Sequence, residues 1–448
     1  MSSWKLEEAP GSRKDSGRKV PRELALRVLG RVLGENEALD EVLQQVSGEV
    51  EPSERGWLQD VCSGTLRWKG RLELALDSLA LRKKPSGWLR RVLLLAAYQL
   101  VVQERTARGR VVNETVELIK RKEGEAPARF ANALLRRISE QADDWRTAGF
   151  PKGQGLEAQA RWASLPVWLW KRLVREQGVE RACAFAEATL ERPSTWLRVQ
   201  NADAATLFPN ATAGETPGAI RLGEGQLPPG PVNQWPGFTE GAFLVQDVSS
   251  QVLVSALVDE LKKAGVWTGE KNTLRALDLC AAPGGKSVGL AWSGFQVVAS
   301  DASLERLGLL RQTVSRCAAE IDVREPQDLG TARDFDVVWV DAPCTGSGIL
   351  RRHPDVRWLR QEKELQALAK VQEQVLRDGL DRVKPGGYLM YSVCSVLEEE
   401  GVARILGLSD WKDRFEIVAE WRLWPFEGEK GDGFQGALIK LAHSSQKG

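Results

Sequence analysis

The chain has 448 residues, 42% of them hydrophobic and 27% charged, which is more than about twice the length of one typical domain and excludes both a single small module and a wholly disordered or fibrous chain. No run approaches the roughly 18 apolar residues of a membrane span, and the polar N-terminus lacks the apolar core of a signal peptide, so a cytoplasmic, non-membrane protein is expected. The net charge is +1, and with only two histidines, His353 and His443, a Ser-His-Asp triad or multi-histidine metal site has no support and no metal is expected.

The near-neutral total hides an asymmetry, because residues 1–150 carry 27 Lys/Arg against 22 Asp/Glu. Arg82, Lys83, Lys84, Arg90, Arg91, Arg105, Arg108 and Arg110 are opposed within their own stretch only by Glu104. They form either a stripe for phosphates or a solvated helical face. Six cysteines stand far apart without a CxxC pair, so free thiols are expected.

In chain order, residues 1–19 read as a disordered polar tail. Arg22, Leu24, Ala25, Val28, Leu29 and Val32 then follow helical spacing and open an all-α region spanning 20–142. Within it the apolar stretch Leu89 to Val102 reads as a central buried helix, with further helices at 112–122 and 127–141. Residues 143–265 mix a Trp-bearing helical stretch with short alternating runs and Pro/Gly loops, a small α+β middle domain. From 266 to 448, strand-like runs at 274–279, 296–300, 336–341 and 388–393 alternate with helices near 286–293, 303–319 and 361–383. That alternation predicts a doubly wound, mostly parallel Rossmann-like α/β domain.

Such sheets bind ligands beyond the carboxyl ends of their strands. The first such edge, Asp278-Leu279-Cys280-Ala281-Ala282-Pro283-Gly284-Gly285-Lys286-Ser287, pairs two glycines with a helix N-terminus and implies a nucleotide-like ligand. It misses the P-loop pattern by one residue, Cys280 standing where glycine is required, and Pro283 removes a backbone donor. A P-loop reading would place Lys286 on phosphates and Asp341 on magnesium. A nucleoside cofactor fits better, since Asp301, 23 residues after Asp278, ends the next strand where a carboxylate can accept from ribose hydroxyls. The other role open to Asp301 is that of a helix N-cap. Asp328, near the end of the short third strand, would then face the base. Cys344 and Cys394 each follow a strand's carboxyl end and so point toward one crevice, whereas Cys62, Cys183 and Cys317 read as buried small hydrophobes.

Asp278 to Lys286, Asp341-Ala342-Pro343-Cys344 and Tyr391-Ser392-Val393-Cys394-Ser395 together resemble the RNA cytosine-5 methyltransferases that use S-adenosyl-L-methionine. More narrowly, Arg351-Arg352-His353-Pro354-Asp355-Val356-Arg357-Trp358 resembles the Sun-type bacterial 16S ribosomal RNA enzymes, in which a NusB-like helical domain precedes the methyltransferase. Ser63 to Arg67, Asn113 to Glu117 and Asn132 to Arg136 are similar to motifs of that helical domain; Leu165 to Leu169, Leu197-Arg198-Val199 and Val245-Gln246-Asp247 extend the likeness through the middle.

The resemblance implies Cys394 as the nucleophile on C6, Cys344 as the thiol that helps resolve the adduct, Asp341 as proton donor to the base, and Lys286 as its orienting partner. It implies that Cys280, Ala281, Ala282, Pro283, Gly284, Gly285, Lys286, Asp301, Asp328 and Asp341 bind the cofactor. Arg351, Arg352 and Arg357 would contact RNA near the site, the first two having a purely structural role as the alternative. The partner implied is 16S ribosomal RNA; the other readings are a transfer RNA methyltransferase and a non-catalytic RNA-binding assembly factor. Three positions depart from the family pattern: Val393 in place of threonine, Gly401 in place of asparagine, and Gln435-Gly436 in place of aromatics.

Overall fold

A computed structural model describes residues 21–443 apart from 81–83, 104–105, 224, 271–272, 332 and 412–413. The expected tail at 1–19 and Arg82, Lys83, Glu104 and Arg105 therefore lie outside the described residues.

The N-terminal part is helical: α1 (Pro21–Glu35), α2 (Leu39–Val46), α3 (Pro52–Leu79), α4 (Gly87–Val101), α5 (Arg108–Glu123), α6 (Glu125–Glu140) and α7 (Ala142–Arg146). The apolar run read from the sequence is α4, buried continuously from Val92 to Val101 and packed against α1, α3, α5 and α6. A helix apolar on every side must be central, and the others bury one stripe each against it. Tyr98 of α4 lies where a Cβ on Gly64 of α3 would overlap its ring, which explains the glycine in the Ser63 to Arg67 motif.

Next come α8 (Leu156–Trp162) and α9 (Val167–Leu190), the latter kinked at Gly178, where φ is +78°. They lead into a small antiparallel sheet of β1 (Thr195–Val199), β2 (Thr212–Ala213), β3 (Ala219–Leu222) and β4 (Phe243–Val245), in the order β2-β3-β1-β4, with α10 (Ala202–Ala205) inserted after β1. The following helix, α11 (Val248–Lys263), buries Leu253, Val254, Leu257 and Leu261 in the core beneath the large C-terminal sheet. On that packing we propose that the catalytic unit begins at α11 rather than at 266.

The C-terminal part contains β5 (Arg275–Asp278), α12 (Gly285–Trp292), β6 (Gln296–Ala299), α13 (Leu304–Arg316), β7 (Ile321–Val323), β8 (Phe335–Asp341), α14 (Val356–Leu359), α15 (Glu364–Leu380), β9 (Val383–Val393), α16 (Ala403–Leu406), β10 (Phe415–Leu423) and β11 (Phe434–Leu441). Strand order is β10-β11-β9-β8-β5-β6-β7; β7 through β9 are parallel, while β11 and β10 add antiparallel. The last two strands were not anticipated from the sequence. β8 is buried from Phe335 to Val340, as a strand covered on both faces must be. The chain runs outward from β5 to β7 and returns to β8, so the crevice opens between the carboxyl ends of β5 and β8.

The segment Leu350 to Trp358 joins all three parts, and its arginines correct the expectation that they face RNA. Arg357, 1% exposed, donates to the carbonyls of Arg67 (3.1 Å), Ser164 (3.0 Å), Thr189 (3.1 Å) and Leu350 (2.9 Å). Arg351 donates to the carbonyls of Lys430 and Gly431 at 2.6 and 2.7 Å, and Arg352 grips Asp247 and Asp432 at 2.7 and 2.9 Å. Most of their donors are engaged by protein acceptors, and Arg351 Nε and Arg357 Nε, which have no partner among the described residues, are buried out of reach of phosphates. The basic stripe is likewise opposed by carboxylates: Arg90 pairs with Glu73 and Asp77 of α3, Lys84 with Asp77, and Arg110 with Glu114 one turn along α5.

Candidate active site

The loop after β5 turns on Gly284, where φ is +110° and where a Cβ would lie 2.9 Å from the Leu310 side chain and 3.3 Å from that of Thr313, so no side chain fits. Gly284 caps α12, so backbone N–H groups of the first turn face the crevice. Beneath the loop, Asp278 is fully buried; its Oδ2 accepts from Ser287 Oγ at 2.7 Å, and its Oδ1 has no partner among the described residues. Ser300 Oγ, at the end of β6, is also buried without a partner. Burial pushes the Asp278 carboxyl up to about 7, with the Ser287 hydrogen bond and the Lys286 charge opposing the rise. Burial likewise pushes the Cys280 thiol upward.

Asp301 braces this loop. Its Oδ2 accepts from the Ala282 N–H at 3.2 Å, and Arg306 lies 3.5 Å from the same oxygen. Its Oδ1 accepts from the Ser303 N–H at 3.1 Å, and the cap of α13 is Ser303 rather than Asp301. Asp328 sits in the turn Pro326–Leu329 beyond β7 with an exposed side chain, apart from the residues gathered around Lys286.

At the other edge, the register of β8 on β9 sets Asp341 beside Ser392. Ser392 Oγ donates to Asp341 Oδ1 at 2.6 Å and accepts from Trp339 Nε1 at 2.9 Å, while Lys286 Nζ donates to Asp341 Oδ2 at 2.6 Å. Both carboxylate oxygens are therefore acceptors. Burial alone would pull the Lys286 ammonium down, but the charge and hydrogen bond of Asp341 outweigh it, leaving Lys286 raised and protonated.

Cys344 and Cys394 meet with their Sγ atoms 3.4 Å apart. A hydrogen bond with Cys394, then burial, then neighbouring charges including Glu400 hold the Cys344 thiol well above its ordinary value. Five residues to which the sequence reading gave no role complete the site: Ser392, Thr345, Ser395, Gln372 and Glu400. Thr345 and Ser395 each directly follow a singled-out cysteine, which was the available signal. Glu400 carried none, because it stands in the run Glu398-Glu399-Glu400, of which only Glu400 is buried.

Residues 19–140 match a family model described as the NusB family, and residues 251–424 match one described as 16S rRNA methyltransferase RsmB/F. Ribosomal RNA small subunit methyltransferase B of Citrobacter koseri is 32% identical over 407 residues, 86% of this chain and 89% of that protein. Its counterpart from Klebsiella pneumoniae is 31% identical, covering 86% and 88%. Among solved structures, PH0851 matches with a TM-score of 0.69 at 21% identity over 94% of this chain and 99% of that one. NSun6 from Pyrococcus horikoshii with SFG matches at a TM-score of 0.50 and 17% identity, over 61% of this chain and 98% of that one. A helical NusB-like unit, a Rossmann-like catalytic sheet and a relative that matches over nearly its full length agree, and the chain belongs to the RsmB/F family of 16S rRNA methyltransferases.

Proposed function

We propose that this protein transfers a methyl group from S-adenosyl-L-methionine to C5 of a cytosine in 16S ribosomal RNA, through a covalent bond between Cys394 and C6 of the base. The observation that carries the reading is the pair of thiols 3.4 Å apart at the ends of adjoining segments, beside the Lys286–Asp341 ion pair. The relatives' names supply the RNA class, and a ribosomal RNA substrate would put the reaction in the cytoplasm. Among the described residues no helix is long and apolar enough to cross a membrane.

The residues after β5 fit the cofactor. Asp278 Oδ1 and Ser300 Oγ are buried and unpartnered among the described residues, suited to an ammonium and to hydroxyls, and the α12 N-terminus that Gly284 caps offers backbone N–H donors. Cys280, Ala281, Ala282 and Pro283 line that turn, while Asp301 would hold it in shape and Asp328 would close the base end. When bound, the cofactor supplies an electrophilic methyl group.

The chain's own residues account for the rest. C5 of cytosine is a weak nucleophile until something adds at C6. The Cys394 thiolate forms the S–C6 bond, and the C5=C6 electron pair moves to C5 and into the ring, where charge collects on N3 and its neighbours. Lys286, held protonated, is the positive group aimed at that charge. Because both Asp341 oxygens accept, the role of proton donor moves from Asp341 to Lys286, and Asp341 orients the ammonium and accepts from the base's exocyclic amine. Cys344, held as a thiol, hydrogen-bonds to the Cys394 sulfur. After methylation the C5 proton passes to water, its electron pair restores C5=C6, and the C6–S bond breaks to release Cys394 as a thiolate, to which the Cys344 thiol donates a hydrogen bond.

Incubating the protein with labelled S-adenosyl-L-methionine and protein-free 16S ribosomal RNA, followed by nucleoside analysis, tests this. Label in 5-methylcytidine that disappears in Cys394→Ser is expected. Label in another nucleoside, or turnover that persists in the variant, would overturn the chemistry.

A further inference from the structure

Glu400 ends the turn Glu398–Glu400 and is 2% exposed. A buried carboxylate is costly unless several donors satisfy it. Here Oε1 accepts from the Thr345 N–H at 2.9 Å and from Gln372 Nε2 at 3.0 Å. Oε2 accepts from Thr345 Oγ1 at 2.5 Å and from Ser395 Oγ at 2.6 Å. Its own backbone carbonyl accepts from Tyr391 Oη at 2.9 Å, on the strand that carries Cys394.

These donors are not arbitrary neighbours. Thr345 is the residue after Cys344 and Ser395 the residue after Cys394, so one carboxylate oxygen is hydrogen-bonded by the side chains that follow both thiols. Gln372 of α15 also donates to the Pro343 carbonyl at 3.1 Å, fixing the other side of Cys344. The Cys394 carbonyl accepts from the Gly348 N–H at 3.0 Å, which closes the ring of contacts between the two loops. Nothing in the adduct chemistry requires a carboxylate here, since Glu400 has no open face toward the crevice.

We infer that Glu400 is the positioning residue that sets the spacing of the two thiols, by tying the Cys344 loop and the Cys394 loop to one buried carboxylate. The inference rests on the cytosine-C5 reading above. Its chemical content is that nucleophile and resolving thiol must stay within hydrogen-bond reach through addition and release, and the carboxylate joins the residues that follow both thiols alongside the direct Ser347–Ser395 and Gly348–Cys394 contacts. A misplacement of about 1 Å in a reacting group costs on the order of 100-fold in rate. The negative charge of Glu400 also favours the protonated form of Cys344.

The test compares Glu400→Gln, which keeps the shape and removes the charge and one acceptor, with Ser395→Ala, which removes one donor to the carboxylate together with the Ser395 contacts to Ser347 Oγ at 2.8 Å and the Leu397 N–H at 3.1 Å. Wild type and variants are assayed with 16S ribosomal RNA for kcat and for KM of S-adenosyl-L-methionine, with rates normalised to folded protein by circular dichroism. We expect kcat to fall on the order of 100-fold in Glu400→Gln and about tenfold in Ser395→Ala, with KM within about twofold of wild type. The double variant should lose less than the product of the two single losses, because one of the Ser395 contacts is to the carboxylate itself. Wild-type kcat per folded molecule in Glu400→Gln would overturn the inference, as would multiplying losses in the double variant. If Glu400→Gln does not fold, wild-type kcat in Ser395→Ala overturns it alone. Absence of 5-methylcytidine from the wild type would remove the cytosine-C5 reading, and this inference with it; 5-methylcytidine from wild type and Glu400→Gln at equal rates removes only the inference.

Discussion

Gly401 and Gln435 share one space. A Cβ at Gly401 would overlap Gln435 Oε1, and the Gln435 amide uses that room to donate from Nε2 to the carbonyls of Ser395 (3.0 Å) and Leu397 (2.8 Å). Two departures from the family pattern are thus one compensated change. Gly401→Asn alone should destabilise the protein by about 1–3 kcal/mol through overpacking. Adding Gln435→Ala should cost less than the sum of the single effects, because the amide that clashes is gone. Urea denaturation of the four proteins measures this, and strict additivity would sink the coupling.

The buried arginine between the three parts gives a second expectation. Arg357→Met leaves the carbonyls of Ser164, Thr189 and Leu350 without the guanidinium donor, while that of Arg67 keeps its hydrogen bond from Ser164 Oγ at 2.7 Å. Each unsatisfied buried group costs about 1–3 kcal/mol, so the loss should be at least ~3 kcal/mol and should lower Tm by several degrees. RNA affinity should keep its wild-type dependence on salt, since no phosphate contact is removed. A flatter salt dependence with unchanged Tm would return Arg357 to the RNA surface.

These two cases show what could be read from the sequence and what could not. The strand ends that carry Asp278, Asp341, Cys344 and Cys394 were legible, because a parallel strand covered on both faces is a short apolar run and chemistry gathers where it stops. The helix at Leu89 to Val102 was legible for a similar reason. The burial of a charge was not. Arg351, Arg357 and Glu400 look like surface residues in the sequence, and their acceptors or donors come from segments far away; the Arg67 guanidinium that meets the Arg351 carbonyl is 284 residues distant. Strand β10 was missed because it alternates exposed and half-buried positions at the sheet's edge, a pattern weaker than the buried runs, and β11, though almost wholly buried, has its apolar run interrupted by Gln435, Gly436 and Lys440.

Asp278 predicts a dependence on pH. Burial raises its carboxyl from an ordinary 3.8 to about 7, so between about pH 4 and 7 the folded chain holds a proton that the unfolded chain has released. Stability from this group therefore falls as pH rises through that window. Asp278→Asn carries no such proton, and its Tm relative to wild type should rise from pH 5 to pH 8. A Tm difference that is flat or falls over that range would show that the buried carboxyl does not titrate there. Binding of an ammonium-bearing cofactor beside Oδ1 favours the ionised form, so its affinity for wild type should strengthen from pH 6 to pH 8 and lose that trend in the variant.

Lys286 and Asp341 should behave as one unit. Lys286→Met removes the cation aimed at the base and leaves Asp341 Oδ2 without the ammonium that now donates to it at 2.6 Å. The expected loss in kcat is on the order of 10²–10³-fold, the range for deleting one preorganised charge-stabilising donor. Asp341→Asn should lose a comparable amount, since the ammonium is then no longer aimed, and the double variant should be little worse than either single one. Ser392→Ala removes the 2.6 Å hydrogen bond on Oδ1 and the acceptor of Trp339 Nε1 but leaves the ammonium in place, and should cost less than Lys286→Met. Single-turnover methylation with saturating cofactor and RNA separates these effects from binding. Independent, multiplying losses would mean that Lys286 and Asp341 serve different steps, and a fast Lys286→Met enzyme would leave the charge on the cytosine ring to some other donor.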